Sequence, residues 1–220
     1  MDAGIRTLPF AGFIVVGSAL ADRFGGSLGA RRLAPAGMLL MAGGFMLVTQ
    51  DDQNTQYQTL VVQMGFLGIG LGLVNASATE SIMSSLPPNK SGLGSSVNDT
   101  ARELGGTFGV AVMGSLFNSV YRAQIRDRFA DAPLPQEAID TIRESVGGAM
   151  AVIEQISQIA GPTAAQAVRE PVQDAFIDGF RGSSMLAGIA TLLGSVGVYA
   201  LLSRHCAIRV YEPSGVQPSE

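Results

Sequence analysis

Long apolar runs alternate with short polar segments along most of this chain. Five of these runs are poor in charged residues and cover about residues 4–20, 33–48, 59–85, 101–120 and 183–202. A helix rises about 1.5 Å per residue, so about 20 apolar residues cross the roughly 30 Å hydrocarbon core of a bilayer. The pattern therefore predicts five membrane-spanning helices joined by polar turns.

The stretch between the fourth and fifth runs has a different character. Residues 122–181 are rich in charges, and apolar positions within residues 136–159 recur at close to helical spacing. Gly161 and Pro162 are expected to end this amphipathic helix, and Pro171 to begin the next one. We expect the helix to lie outside the lipid core, on the membrane surface or folded over the helix ends, because it carries four acids. These are Glu137, Asp140, Glu144 and Glu154.

Composition agrees with a membrane protein and argues against several other classes. Of the 220 residues, 47% are hydrophobic and only 15% are charged, against about 25% in ordinary soluble domains. The net charge of −4 gives no sign of nucleic-acid binding. One cysteine excludes an internal disulfide framework, and one histidine leaves no metal-ligand spacing. With no nucleophile–base pair or phosphate loop either, we expect neither an enzyme nor a protein with a cofactor or metal.

The third run contains Gly68, Gly70 and Gly72, and the fourth contains Ala101, Gly105 and Gly109 at four-residue spacing. Glycine inside a helix costs about 1 kcal/mol relative to alanine in water, whereas small residues in lipid let two helices approach closely. A dinucleotide-binding loop or a soluble glycine-rich core would be the alternatives. The first lacks a polar turn at the glycines, and the second conflicts with the uncharged length of residues 60–78. We expect a helical hairpin, in which the Ala101, Gly105 and Gly109 face of the fourth run packs tightly against another helix. The favoured partner is the third run near Gly68 and Gly72.

Basic residues indicate the orientation of the predicted helices. One set of turns and the C-terminal tail contain Arg23, Arg31, Arg32, Lys90, Arg204 and Arg209, whereas the turn at residues 50–58 has two acids and no base. Cytoplasmic loops of membrane proteins are enriched in lysine and arginine. The N-terminus is therefore predicted outside the plasma membrane and the C-terminus in the cytoplasm.

This orientation divides the chain into four predicted parts. They are four transmembrane helices in residues 1–121, an extracytoplasmic amphipathic segment in residues 122–181, the last transmembrane helix in residues 182–203 and a cytoplasmic tail in residues 204–220.

Polar groups within or next to the spans are the candidates for function, because such groups are costly in lipid. Counted from Leu60, Asn75 lies about 22 Å along the third helix and Glu80 about 30 Å. Asn75 is interpreted as a polar contact in a substrate cavity or as an interhelical hydrogen bond. Glu80 is interpreted as a gate or interfacial residue, with a proton or cation site as the alternative.

Charges at the ends of neighbouring helices form a second candidate set. Asp22 and Arg23 end the first span, and Arg31 and Arg32 precede the second. Such charges either pair across a closed cytoplasmic gate, which biases one conformational state, or only fix the orientation. Arg102, at the start of the fourth span, is expected to face the same gate or the lipid headgroups.

Several of these motifs resemble a known family. The sequence Gly17-Ser-Ala-Leu-Ala-Asp22-Arg23-Phe-Gly25, followed by Arg31-Arg32, resembles the G-x-x-x-D-R-x-G-R-R loop motif of the major facilitator superfamily. The copy is loosened, since five residues separate Gly25 from Arg31. Residues 3–9 and the run from 68 to 114 resemble the fourteen-span drug:proton antiporters of the EmrB/QacA type. Asn75 stands where many members of that branch have proline.

The resemblance implies the last five spans of such a transporter, forming part of its C-terminal bundle. The N-terminal half, with its proton-coupling acids, is expected upstream of Met1. Substrate sites in this superfamily lie between the two halves. The implied partners are membrane lipid, the missing half, protons and small amphiphilic or cationic substrates, with no nucleic acid.

The expected function is proton-coupled multidrug efflux by alternating access. The alternative is a truncated, non-transporting membrane protein with an assembly or regulatory role.

Overall fold

The computed structural model describes residues 2–52, 55–130, 132 and 134–205, and these residues form helices joined by short turns, without a β-strand. A single 3₁₀ turn at Pro88–Lys90 precedes the fourth helix. The helices are α1 (Asp2–Leu28), α2 (Ala30–Val48), α3 (Tyr57–Ser84), α4 (Ser91–Arg128), α5 (Gln136–Glu144), α6 (Val146–Ala160) and α7 (Pro162–His205). The predicted all-α membrane fold is confirmed.

Five long helices occupy the positions of the five predicted spans. Three of them are long and apolar enough to cross a membrane by length and composition, within Gly4–Leu28, Tyr57–Ser84 and Pro162–Leu201. Most of their residues are not buried, and large apolar side chains such as Val15 and Leu193 point outward. An outward apolar surface is what lipid-facing helices require. The other two predicted spans form α2 and α4, which pack alongside these helices.

The five long helices form an open array in the order α1, α3, α2, α7, α4, with α3 between α1 and α2. We call the spanning parts of these helices the bundle. The array is held by close backbone approach at glycines more than by large side chains. Its buried apolar residues are few: Ala21, Leu33 and Leu73 form one cluster, and Ala42 and Val48 are buried as well.

Beyond the bundle, the chain builds a second hydrophobic core. The C-terminal end of α4, both short helices and the first half of α7 pack together, and we call this region, residues 121–180, the cap. Its buried side chains are Tyr121, Ile125, Phe129, Ile142, Ala149, Val152, Ile153, Ala165, Val168, Val172 and Ala175. The amphipathic segment therefore folds over the ends of α4 and α7, which is one of the two placements expected for it.

Several helix boundaries differ from the sequence-based expectation. The amphipathic segment forms two helices, because the chain breaks at Ser145, whose hydroxyl accepts a hydrogen bond from Gly148 N at 3.0 Å. The prediction that Pro171 begins the helix after the amphipathic one was wrong, since α7 begins at Pro162 and runs through Pro171. Val168 and Val172, on either side of this proline, are both buried in the cap, and their packing holds the helix continuous. Residues 206–220 of the predicted tail lie outside the described residues.

Candidate functional site

The predicted gate residues lie together at one end of the bundle, which we call the basic end. Gly29 joins α1 to α2 with φ of 70°, a left-handed conformation that favours glycine. This turn places Asp22 and Arg23 near the start of α2, where Arg31 and Arg32 begin the next helix. All four side chains are exposed. They are positioned at one mouth of the bundle, and their pairing across a closed gate stays a prediction.

Two contacts connect this end of the bundle across different helices. The Arg31 guanidinium lies 5.7 Å from the ring centroid of Tyr199 on α7, within the range of a cation–π interaction. A Cβ built at Gly25 would lie 3.4 Å from Oε2 of Glu80, so the Glu80 carboxylate packs over the last turns of α1. Glu80 is exposed. It therefore belongs with the gate residues rather than in the interior of the bundle.

Asn75 lies one to two turns deeper than Glu80 on α3 and is half-buried. A nearby polar contact that the sequence analysis missed is the 3.4 Å hydrogen bond from Asn98 Nδ2 on α4 to Thr79 Oγ1 on α3. Asn98 is buried, although it lies in a polar stretch that looked like a turn. The structure shows that α4 begins at Ser91, so the first turns of this helix already pack against α3. Arg102, one turn further on, is exposed.

The glycines of α3 serve two neighbouring helices. A Cβ at Gly72 would overlap the carbonyl oxygen of Ile14, and one at Gly68 would lie 2.7 Å from Phe13 Cβ, so both glycines face α1. Gly70 faces α2, where a Cβ would lie 2.6 Å from the carbonyl oxygen of Gly37. Residues two apart on a helix point to opposite sides, which explains why one G-x-G-x-G run can pack against two partners.

The predicted pairing of these glycines with α4 was wrong. Built Cβ atoms at Gly105 and Gly109 meet no atom within 4 Å in the described part of the chain. Helices α3 and α4 touch near the basic end, where a Cβ at Gly94 would lie 3.3 Å from Met83 Sδ, and then diverge. This divergence leaves residues 101–112 of α4 exposed.

At the opposite end, near the cap, a polar cluster joins loops and helices that are distant in sequence. Gln63 Nε2 donates to Asp51 Oδ1 at 2.7 Å, and Arg181 Nε donates to the Asp51 carbonyl oxygen at 2.8 Å. The Tyr57 hydroxyl donates to the carbonyl oxygen of Arg6 at 3.0 Å. Gln63 is only 3% exposed. Its isolated position in an apolar run was the signal that could have revealed a buried partner.

Comparison with known proteins shows which family this chain belongs to. The sequence profile of the Major Facilitator Superfamily matches residues 3–124, more than half of the chain. The chain belongs to the Major Facilitator Superfamily.

Named relatives extend the match over most of the chain. The multidrug efflux pump LfrA of Mycolicibacterium smegmatis is 28% identical over 204 residues, which cover 90% of this chain and 38% of LfrA. The methyl viologen resistance protein SmvA of Salmonella typhimurium is 29% identical over 207 residues, covering 92% of this chain and 40% of SmvA. The tetracenomycin C resistance and export protein of Streptomyces glaucescens is 26% identical over 228 residues, covering 100% of this chain and 40% of that protein. The chain thus spans about two fifths of the length of these relatives.

In this member of the superfamily, the glycines of the loop motif have a packing role. A Cβ at Gly17 would overlap the carbonyl oxygen of Ile69 on α3, and Gly25 lies against Glu80. The motif therefore combines two close contacts between α1 and α3 with the exposed charges of Asp22 and Arg23. This arrangement fixes the end of α1 against α3 while leaving the charges exposed.

Proposed function

We propose that this chain forms the C-terminal part of a secondary active transporter that exports drugs, by proton-coupled alternating access, in the fourteen-span branch. The similarity to exporters and resistance proteins over at least 90% of the chain carries the proposal. The open helix array supports it, because five helices in an arc cannot enclose a substrate path on both sides. In this account the chain sits in the plasma membrane with its N-terminus outside and its C-terminus in the cytoplasm.

The open face of α4 is the surface expected to meet the rest of the transporter. Small residues at Ala101, Gly105 and Gly109 leave room for close helix approach. Among the described residues no atom lies within 4 Å of a Cβ built at Gly105 or Gly109, and Ala101 is exposed. Helix association in lipid depends on such close packing, since lipid tails are as apolar as leucine. We assign this face to a helix of the N-terminal part of the same transporter.

The distribution of charged residues suggests which part of the transporter couples to protons and which part contacts the substrate. No Asp, Glu, Lys, Arg or His occurs in residues 33–48, 57–79, 104–121 or 182–201, the central parts of α2, α3, α4 and α7. Proton coupling needs a group that titrates along the path. The main coupling acids are therefore assigned to the N-terminal part, and Asn75 to the substrate path as a neutral polar contact. Glu80 remains the one candidate carboxylate of this chain, at the cytoplasmic mouth.

The gate function is assigned to Asp22, Arg23, Arg31, Arg32 and Arg102. In an outward-facing state these charges would pair with each other or with the N-terminal part and hold the cytoplasmic side closed. Opening that side would separate the pairs, so each pair shifts the balance between the two states.

Efflux of a cationic dye from vesicles tests the proposal. Vesicles with the product of the complete gene should transport the dye when a proton gradient is applied, and vesicles with residues 1–220 alone should not. Transport by residues 1–220 alone would contradict the assignment of a missing half. A folded complete product that transports no drug with or without a gradient would overturn the export function. It would then favour the assembly or regulatory role.

A further inference from the structure

The junction between the cap and the bundle contains a contact with unusual connectivity. Arg181 lies on α7 where this helix leaves the cap, and Asp51 lies in the turn between α2 and α3. Both Nε and a terminal nitrogen of the Arg181 guanidinium donate to the same carbonyl oxygen, that of Asp51. The Asp51 carboxylate in turn accepts from the buried amide of Gln63 on α3. One arginine thus connects the cap-bearing helix to two other elements of the bundle.

A second arginine ties the cap together beside this contact. Arg128, at the end of α4, forms ion pairs with Asp174 at 3.1 Å and Asp178 at 3.0 Å on α7. It also donates to the carbonyl oxygen of Pro171 at 3.2 Å. Asp178 lies 4.0 Å from Arg181, so the two arginines share one carboxylate. The polar chain therefore runs without a break from α4 through α7 to the α2–α3 turn.

The segment of α7 that crosses the junction contains several small residues beside Phe180 and Arg181. Gly179 packs under Phe117 and Gly182 lies near Val120, both on α4, and Ser183 and Ser184 follow. Further into the bundle, α7 packs closely on α2, where a Cβ at Gly188 would lie 3.3 Å from Phe45 Cβ. At the junction itself, the Arg181 contact joins α7 to the α2–α3 turn.

We propose that the Arg181–Asp51 contact is a latch that makes the cap move with the bundle as one rigid body. Arg181 is a positioning residue in this role, and the latch operates in the folded chain whether or not the protein exports drugs. A planar guanidinium can direct two N–H groups at one acceptor, whereas a lysine ammonium presents a point charge without that fork. Because the acceptor is a backbone carbonyl, the latch depends on arginine at position 181 and not on the side chain at position 51.

Spin-label distance measurements on residues 1–220 in lipid nanodiscs test the latch. Labels replace the exposed residues Gln58, on α3, and Glu154, on α6, in a Cys206→Ser background. The unmodified latch should give a narrow distance distribution. Arg181→Gln should abolish the narrow peak and replace it with a broad distribution, and Arg181→Lys should broaden it as well.

Three controls separate the latch from general damage. Arg122→Gln removes an exposed arginine of α4 and should leave the narrow peak unchanged. Asp51→Ala removes the bond to Gln63 but keeps the carbonyl acceptor, so the peak should again stay narrow. A label pair within the cap, at Gln136 and Gln158, should remain narrow in every variant and shows that the cap is folded.

An unchanged Gln58–Glu154 distribution in Arg181→Lys and Arg181→Gln would overturn the latch. Equal broadening by Asp51→Ala would also overturn it, since the side chain and not the backbone acceptor would then be responsible. If Arg181→Gln does not fold, the lysine variant decides the question, because it retains the charge and the length of the side chain.

Discussion

The cap and the bundle use the same kinds of residue in opposite ways. In the cap, large side chains such as Tyr121, Ile125 and Ile142 are almost completely buried, and the surface is charged. In the bundle, large apolar side chains point outward, and glycines occupy the contacts between helices. Both regions share helices α4 and α7. Along its length, each of these helices therefore changes from packing through large buried side chains to packing through small residues.

The difference is the one expected if the cap lies in water and the bundle in lipid, as proposed above. Water drives apolar surface inward, at about 25 cal/mol per Å² of area buried, so the cap folds around its largest apolar groups. Lipid tails are as apolar as the side chains, and close backbone packing has to supply the attraction between helices. The largest effect of mutation should therefore come from removing volume in the cap and from adding volume at bundle contacts.

Removal of a buried side chain from the cap should give the largest loss. Ile153 is 1% exposed in the cap core, and Ile153→Ala should lower the free energy of unfolding by about 2–5 kcal/mol. The matched control is Ile159→Ala on the same helix, where the side chain is 87% exposed and little change is expected. Chemical denaturation followed by helical circular dichroism measures both. Equal effects at the two positions would mean that the cap has no ordered core.

Added volume at a bundle contact should have the next largest effect. A Cβ at Gly72 would overlap the backbone of α1, so Gly72→Leu should destabilise the bundle by about 1–3 kcal/mol, the usual range for overpacking. Gly109→Leu, on the open face of α4, should be nearly neutral in residues 1–220. In the complete transporter it should become costly if another helix covers that face. Melting temperatures in detergent compare the variants, and a neutral Gly72→Leu would contradict the packing role of glycine.

Removal of a single hydrogen bond should have the smallest effect, and its size should differ between the cap and the bundle. The Tyr121 hydroxyl donates to the Ile142 carbonyl oxygen at 2.9 Å inside the cap, and Tyr121→Phe should cost about 1 kcal/mol. Tyr57→Phe removes a bond of similar length at the exposed end of α3 and should cost less, because water can replace it. The two unfolding free energies provide the comparison. A larger loss of unfolding free energy in Tyr57→Phe than in Tyr121→Phe would show that water reaches the hydrogen bonds inside the cap.

Much of this architecture was predictable from the sequence because hydrophobic runs and turns are local signals. The five long helices and the end of α2 at Val48 followed from them, as did the helical character of the amphipathic segment. The gathering of Asp22, Arg23, Arg31 and Arg32 at one end followed from alternation of helix direction. Superfamily membership followed from the loop motif and was confirmed by the profile match.

The partners of individual helices were not predictable, because they depend on contacts between distant residues. Gly70 faces away from Gly68 and Gly72, and only the positions of α1 and α2 reveal that both sides of α3 are occupied. The continuous course of α7 through Pro171 depends on the cap core, which outweighs the local preference of proline. The bond from Arg181 to Asp51 crosses 130 residues of sequence, and its backbone acceptor leaves no pattern in the side chains.

Site-directed cysteine labelling tests most directly the claim that the bundle lies in lipid and the cap in water outside the cell. In a Cys206→Ser background, single cysteines replace Glu154 in the cap, Gln56 at the cap end, Asn89 at the basic end and Leu193 in the bundle. A membrane-impermeant maleimide applied to intact cells should label positions 154 and 56, and should label position 89 only after permeabilisation. Position 193 should stay unlabelled in both conditions, although its side chain is 66% exposed in the structure, because lipid covers it. Labelling of position 193 as readily as position 154, or of position 154 only from the cytoplasmic side, would contradict the account.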